Sequence, residues 1–334
     1  MSQRFDVDVD GGRLAAYRLG AARGDAPLVL AIHGITSTSR TWLATARALG
    51  DRAALIAVDL RGRGRSSELP PPFGLDAHVR DMVAVLDHLR ISVAVVAGHS
   101  LGAYIAARLA TTHPDRVARL VLVDGGLTIP ETGGADPEQF LEAFLGPTLE
   151  RLTMTFPDAA AYRAWWAAHP AVAGADVSPA DLDEYADHDL VDATPGVRSA
   201  VNPHVVPDAP GVRSAVNPHV VPDAPGVRSA VNPQVVRDDG LDLFGAPDAP
   251  RLTVPAVLLC APRGMVDDPN PMQPLAAVRA WADADPARRR AVPVPDVNHY
   301  TIAWGAHGAA AVATEIAAAV SAADPADRQL TPER

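Results

Sequence analysis

At 334 residues the chain is too long for one minimal domain and too short for three, which predicts two domains or one large α/β domain carrying an insertion. Its 29 arginines, with no lysine, face 40 acidic residues, and the resulting charge of −11 speaks against nucleic acid or an anionic membrane surface as a partner. A hydrophobic content of 48% excludes a disordered chain, and the lone Cys260 leaves neither an internal disulfide nor a zinc cluster to expect.

The N-terminus lacks the apolar stretch of a signal peptide, and no apolar run approaches the ~20 residues of a membrane span, so a soluble cytoplasmic protein is expected. Apolar runs at 5–9 and 13–19, joined by Asp10-Gly11-Gly12, predict an antiparallel hairpin at a sheet edge. Further strands fall at 27–32, 53–60, 93–97 and 119–123, with helical periodicity between them at 41–49, 77–89 and 101–113. Runs such as Leu28-Val29-Leu30-Ala31-Ile32 are apolar at every position, the pattern of parallel strands buried on both faces. After Gly126 the rhythm changes: residues 127–250 hold helical patterns at 137–155, 158–169 and 179–190 but no strand. Strands resume at 254–260 and 291–294, with helices at 272–284 and 308–322 and a polar tail over 323–334. The predicted fold is α/β: a mostly parallel eight-stranded sheet flanked by helices, built from 1–126 and 251–322, with 127–250 inserted as a helical cap.

Inside the cap, Gly196-Val197-Arg198-Ser199-Ala200-Val201-Asn202-Pro203 recurs from Gly211 and again from Gly226, a period of 15 residues spanning about 196–240. Solenoid repeats are longer, roughly 20–50 residues, and bury a face against each neighbour. The first two units carry three prolines each and the last carries one. Prolines at this density neither continue a helix nor occupy a central strand, so the segment is expected to be a duplicated loop extruded to solvent.

The strongest chemical signal is Gly98-His99-Ser100-Leu101-Gly102, which follows an apolar strand and opens a helix. A β-carbon at Gly98 or Gly102 would collide with backbone, while Ser100 sits at the apex with its hydroxyl exposed. A second signal is His33-Gly34-Ile35-Thr36 after an earlier strand. Oxyanion stabilisation needs two preorganised N–H donors, and those of Leu101 and Ile35 are the candidates. His33 is read as structural, holding that loop.

These motifs, together with Asp59-Leu60-Arg61-Gly62-Arg63-Gly64-Arg65-Ser66 and a late Asn298-His299-Tyr300, resemble the α/β-hydrolase superfamily in order and spacing. The resemblance covers about 26–126 and 251–322 and leaves the cap out. It implies a serine-nucleophile hydrolase with Ser100 as nucleophile and His299 as base, needing no cofactor and no metal. The stretch from Asp59 to Ser66 matches a turn that is usually structural, and no chemistry is assigned to it. Serine at the apex argues against the family's epoxide hydrolases and haloalkane dehalogenases, which use aspartate there. The orienting acid usually follows the strand 254–260, but that position falls on Gly264, with Asp267 and Asp268 further on. A minority arrangement places it at the end of the preceding strand, which here is Asp124, and Asp124 is the preferred choice.

The only partner expected is a small-molecule substrate. Aromatic residues of the cap, Phe140, Phe144, Trp165 and Trp166 among them, suit an apolar acyl pocket, although such a stripe at helical spacing is more often core packing. A small or medium apolar ester, lactone or thioester is favoured. A carbon–carbon bond hydrolase or a cofactor-free perhydrolase would use the same triad. From another class, a non-catalytic ligand-binding protein on this fold would need neither Ser100 nor His299.

Overall fold

Alternate residues of each central strand go to opposite faces of one sheet, which is why the runs are apolar throughout. Leu30 and Ile32, Val96, Leu120 and Leu122 enter one core cluster, and Val29 and Ala31, Val95 and Ala97, Val121 and Val123 enter a second. The computed structural model describes residues 2–21, 24–127, 136, 139, 151–193, 226–244 and 247–323.

The sheet has eight strands: β1 (Ser2–Val9), β2 (Gly12–Gly20), β3 (Leu28–Ile32), β4 (Ala54–Val58), β5 (Ala94–His99), β6 (Val117–Val123), β9 (Ala256–Cys260) and β10 (Arg289–Pro293). Their spatial order is β1-β2-β4-β3-β5-β6-β9-β10. The β1–β2 hairpin and the β2–β4 pair are antiparallel, and every pairing from β4 through β10 is parallel. Helices α2 (Leu75–His88) and α3 (Leu101–Thr112) pack Met82, Val85, Ile105 and Leu109 against one face. On the other face α1 (Leu43–Leu49) contributes Leu49, and the helix Ala306–Ala322 contributes Val312, Ile316 and Val320. A parallel sheet directs all its strand-end loops to one rim, and in open α/β sheets the crevice at that rim holds the ligand.

The segment between β6 and β9 contains helices α4 (Ala159–Ala168), α5 (Pro179–Asp189) and α6 (Pro233–Asp242), and the strands β7 (Leu190–Ala193) and β8 (Gly226–Ser229). β7 and β8 form an antiparallel pair of their own, although no strand was expected between 127 and 250. The third repeat unit departs most from expectation. Its first four residues are β8; Ser229, Ala230, Val231, Val235 and Val236 are buried, and its last eight residues lie in α6. The solvent-extruded loop is therefore wrong for this unit. Where the earlier units have Pro222 and Pro225, the third has Arg237 and Gly240, so nothing interrupts the helix. Its one proline, Pro233, occupies the first turn, and Asn232 caps the helix by accepting from Gln234 N at 2.9 Å. The first two units, 196–225, lie outside the described residues, as do Phe140 and Phe144.

Among the described residues, no helix is long and apolar enough to cross a membrane.

Candidate active site

β5 ends at His99 and α3 begins at Leu101, so Ser100 makes the whole turn by itself, with φ +54° and ψ −122°. A non-glycine residue in that region is strained, and the strain holds the side chain at the apex. The turn closes only because its flanks are bare. A β-carbon on Gly98 would lie 2.1 Å from Gly102 O, and one on Gly102 would lie 2.1 Å from Ile32 O. The Ser100 N–H donates to Val123 O at 3.0 Å, tying the turn to the end of β6.

Three side chains from three strand ends meet here. His299 Nε2 lies 3.0 Å from Ser100 Oγ, and His299 Nδ1 lies 2.7 Å from Asp124 Oδ2. Asp124, at the end of β6 with φ +46°, is 1% exposed, and its Oδ1 accepts from Ala261 N at 3.0 Å. A carboxylate only accepts, so the imidazole proton belongs on Nδ1, and the Nε2 lone pair faces the serine hydroxyl. Asp267 and Asp268 are elsewhere. Asp267 pairs with Arg263 at 2.9 Å and accepts from Asn298 Nδ2 at 2.9 Å, while Asp268 accepts from Asn270 N. Asp267 thus supports the residue beside His299 rather than the imidazole.

The other two histidines of the motifs are neutral supports. His99 Nε2 donates to His299 O at 2.8 Å, fixing the loop that carries the imidazole. Burial, helped by the neighbouring His299, pushes His99 down to about 3. His33 Nδ1 donates to Gly34 O at 2.7 Å and its Nε2 accepts from Leu60 N at 3.0 Å, so it holds its loop, as its motif predicts. Burial takes His33 to about 3 as well. Cys260, at the end of β9, is pushed up to about 11 by burial and then by the Asp124 charge, which rules it out as a thiolate at neutral pH.

Gly34 lies against Ser100, with its β-carbon position 3.6 Å from Oγ. Ile35 follows it and packs against the buried apolar cluster of Leu152, Val231, Val235 and Val236. The Leu101 N–H is among the first four of α3, which lack an acceptor within their own helix. Trp166 is packed into a buried aromatic cluster. It is 1% exposed, closed in by Tyr185, Tyr300, Trp304 and the Arg151 guanidinium, while Trp165 is half-buried at the cluster's edge. Among the described residues no group of three or more His, Cys, Asp or Glu is arranged to hold a metal ion.

A sequence model described as alpha/beta hydrolase fold matches residues 27–191. The chain belongs to the α/β-hydrolase superfamily. Lipase LipV of Mycobacterium tuberculosis is 36% identical over 163 residues, 49% of this chain and 57% of that protein. A dihydrolipoyllysine-residue acetyltransferase component of an acetoin cleaving system from Pseudomonas putida is 37% identical over 136 residues, 40% of this chain and 35% of that one. The chain therefore spans between about a third and just over half the length of these relatives. Solved structures match far more completely. E-2-(acetamidomethylene)succinate hydrolase aligns with a TM-score of 0.70 at 22% identity, over 96% of this chain and 100% of its own. The enol-lactonase of Burkholderia xenovorans aligns with a TM-score of 0.60 at 18% identity, over 95% and 100%. At those identities the likeness is one of fold.

Proposed function

We propose that this α/β-hydrolase is a serine hydrolase that cleaves a small or medium apolar ester, lactone or thioester through an acyl-enzyme. The observation that carries the reading is the connected run Ser100 Oγ, His299 Nε2, His299 Nδ1 and Asp124 Oδ2, with separations of 3.0 and 2.7 Å. Names such as lipase and enol-lactonase among its relatives and structural neighbours support the same class of chemistry.

In the proposed cycle His299 takes the Ser100 proton as Oγ attacks the substrate carbonyl, and the Leu101 and Ile35 N–H groups receive the developing oxyanion. Asp124 holds the ring in the required tautomer and stabilises the imidazolium. The imidazolium protonates the leaving group, and the same histidine then activates the water that releases the acid. The partly exposed Ile35, next in the chain to Gly34 at Ser100, favours an apolar acyl group over a charged one.

A fluorophosphonate probe tests the nucleophile. It is expected to label the wild type and not Ser100→Ala, and Ser100→Ala is expected to lose on the order of 10⁶ in turnover while staying folded. Residual activity within tenfold of wild type would sink the assignment. A panel of p-nitrophenyl esters of rising acyl length, with lactones and acyl-thioesters beside them, then identifies the substrate class.

A further inference from the structure

Three successive carbonyls of the loop after β3 are each held by a buried side-chain donor. Gly34 O accepts from His33 Nδ1 at 2.7 Å, Ile35 O from Arg63 Nε at 2.9 Å, and Thr36 O from Arg151 Nη2 at 2.9 Å. In a trans peptide the C=O and the following N–H point in opposite directions from one rigid plane. Fixing Gly34 O therefore fixes the Ile35 N–H, and fixing the next two carbonyls removes the rotations by which that plane would relax.

Both arginines depend on carboxylates of the inserted segment. Arg63, fully buried, lies 2.6 Å from Asp239 of α6, whose other contacts are Gly74 N at 2.7 Å and His78 Nε2 at 2.8 Å. Arg151 belongs to the insertion itself. Its Nη1 donates to Asp189 Oδ2 at 2.8 Å and to Tyr162 Oη at 2.5 Å, and Ser229 Oγ donates to Asp189 Oδ1 at 3.1 Å. The Arg63–Asp239 pair joins the core to the insertion, and the Arg151–Asp189 pair lies within the insertion. Here each guanidinium, after pairing with its carboxylate, spends a further N–H on the same loop.

We propose that the inserted segment completes the oxyanion hole, with Arg63 and Arg151 as positioning residues and Asp239 and Asp189 as the groups that orient them. The inference rests on the serine-hydrolase reading and goes beyond it. The insertion becomes part of the machinery that stabilises the transition state, in addition to any part in covering substrate. Asp239 also gives the third repeat unit a role the others do not share, because the matching positions of the first two are Ala209 and Ala224.

The test compares Asp239→Asn, Arg151→Lys and the double variant Arg151→Met/Asp189→Asn with wild type. The substrates are a p-nitrophenyl ester and its thionoester counterpart, and melting curves are recorded for each protein. Sulfur is a poor acceptor in an oxyanion hole, so a well-formed hole prefers the ester strongly and a loosened one prefers it less. Losing one oxyanion donor outright costs ~10²–10³ in kcat, so loosening one is expected to cost about 10- to 100-fold, with KM within about threefold and the ester preference reduced about tenfold. Should the double variant fail to fold, Arg151→Lys carries the same expectation, because it keeps the charge beside Asp189 on a side chain with fewer donors. An ester preference unchanged in every folded variant, or kcat within about threefold of wild type, overturns the proposal. A wild type that the fluorophosphonate fails to label would overturn the hydrolase reading instead.

Discussion

Replacing Asp124 with asparagine changes one heavy atom of the site and reverses one hydrogen bond. Asp124 Oδ1 accepts from Ala261 N at 3.0 Å, and that amide can only donate. The asparagine carbonyl must therefore take that position, which turns its NH₂ toward His299 Nδ1, now 2.7 Å from a carboxylate oxygen. Nδ1 becomes the acceptor, the ring proton moves to Nε2, and the lone pair that should receive the Ser100 proton is gone. A wrong tautomer in intact geometry costs ~10⁴ in turnover, or about 5.5 kcal/mol at 1.36 kcal/mol per decade. Asp267→Asn is the matched control. It removes a half-exposed ion pair with Arg263, worth ~0.2–1 kcal/mol, and keeps an acceptor for Asn298 Nδ2. Its activity is expected to stay within about fivefold of wild type. The assay is p-nitrophenyl ester hydrolysis at neutral pH, with folding checked by circular dichroism. Asp124→Asn retaining activity within tenfold of wild type, while Asp267→Asn loses it, would refute the reasoning.

Deleting 196–225 joins Thr194-Pro195 directly to Gly226. Because Ala193 already pairs with Gly226, a two-residue hairpin loop results. The melting temperature is expected to move little, since a Thr-Pro turn is suboptimal but long surface insertions add only ~0.6 kcal/mol of closure entropy per doubling; a collapse would show that the first two units pack. Acid should destabilise the fold from about pH 6.5 downward. His33 and His99 stay neutral to about 3 when folded, whereas the unfolded chain takes up their protons near 6.5. Between those limits the unfolded state binds more protons, so stability falls with falling pH by ~1.4 kcal/mol per unit for each histidine. Urea titrations at pH 7, 6 and 5 should show this slope, and His99→Gln should flatten it; an equal slope in the variant would refute the assignment.

Much of the sheet is legible because parallel strands buried on both faces leave unbroken apolar runs. All eight are where those runs fall, with ends shifted by a few residues, as at β6, which begins at Val117 rather than 119. The site geometry follows from the same regularity, since Ser100, Asp124 and the loop after β3 all sit at carboxyl ends of strands. What the sequence hides is non-local. Nothing around Arg151 announces that it donates to Thr36 O across 115 positions. Arg63 stands in a stretch read as structural, and its link to the loop appears only once Ile35 O is placed 2.9 Å away. The third repeat unit was obscured by its copies, whose prolines describe a loop that its own residues do not form.

The acid at the end of β6 has a simple geometric reason. β6 and β9 are hydrogen-bonded neighbours, with Val123 opposite Leu259, and their ends are tied by Asp124 N to Leu259 O at 2.8 Å. Adjacent strands lie about 4.8 Å apart, so a carboxylate leaving either end starts within one side-chain length of the same imidazole. The fold therefore offers two starting points, and the local chain decides between them. After β9 the chain passes through Gly264, whose β-carbon position is 2.5 Å from the backbone Asn270 O, so a side chain there would displace its own loop. That loop instead uses Gly264 O to receive the His299 N–H at 3.4 Å and Asp267 to hold Asn298. After β6, by contrast, Gly125 lets the chain pass against the Ser100 backbone, where a β-carbon would approach Ser100 O to 2.4 Å. One strand end has been fitted to carry the carboxylate beside Ser100, and its neighbour to brace the loop that presents the imidazole.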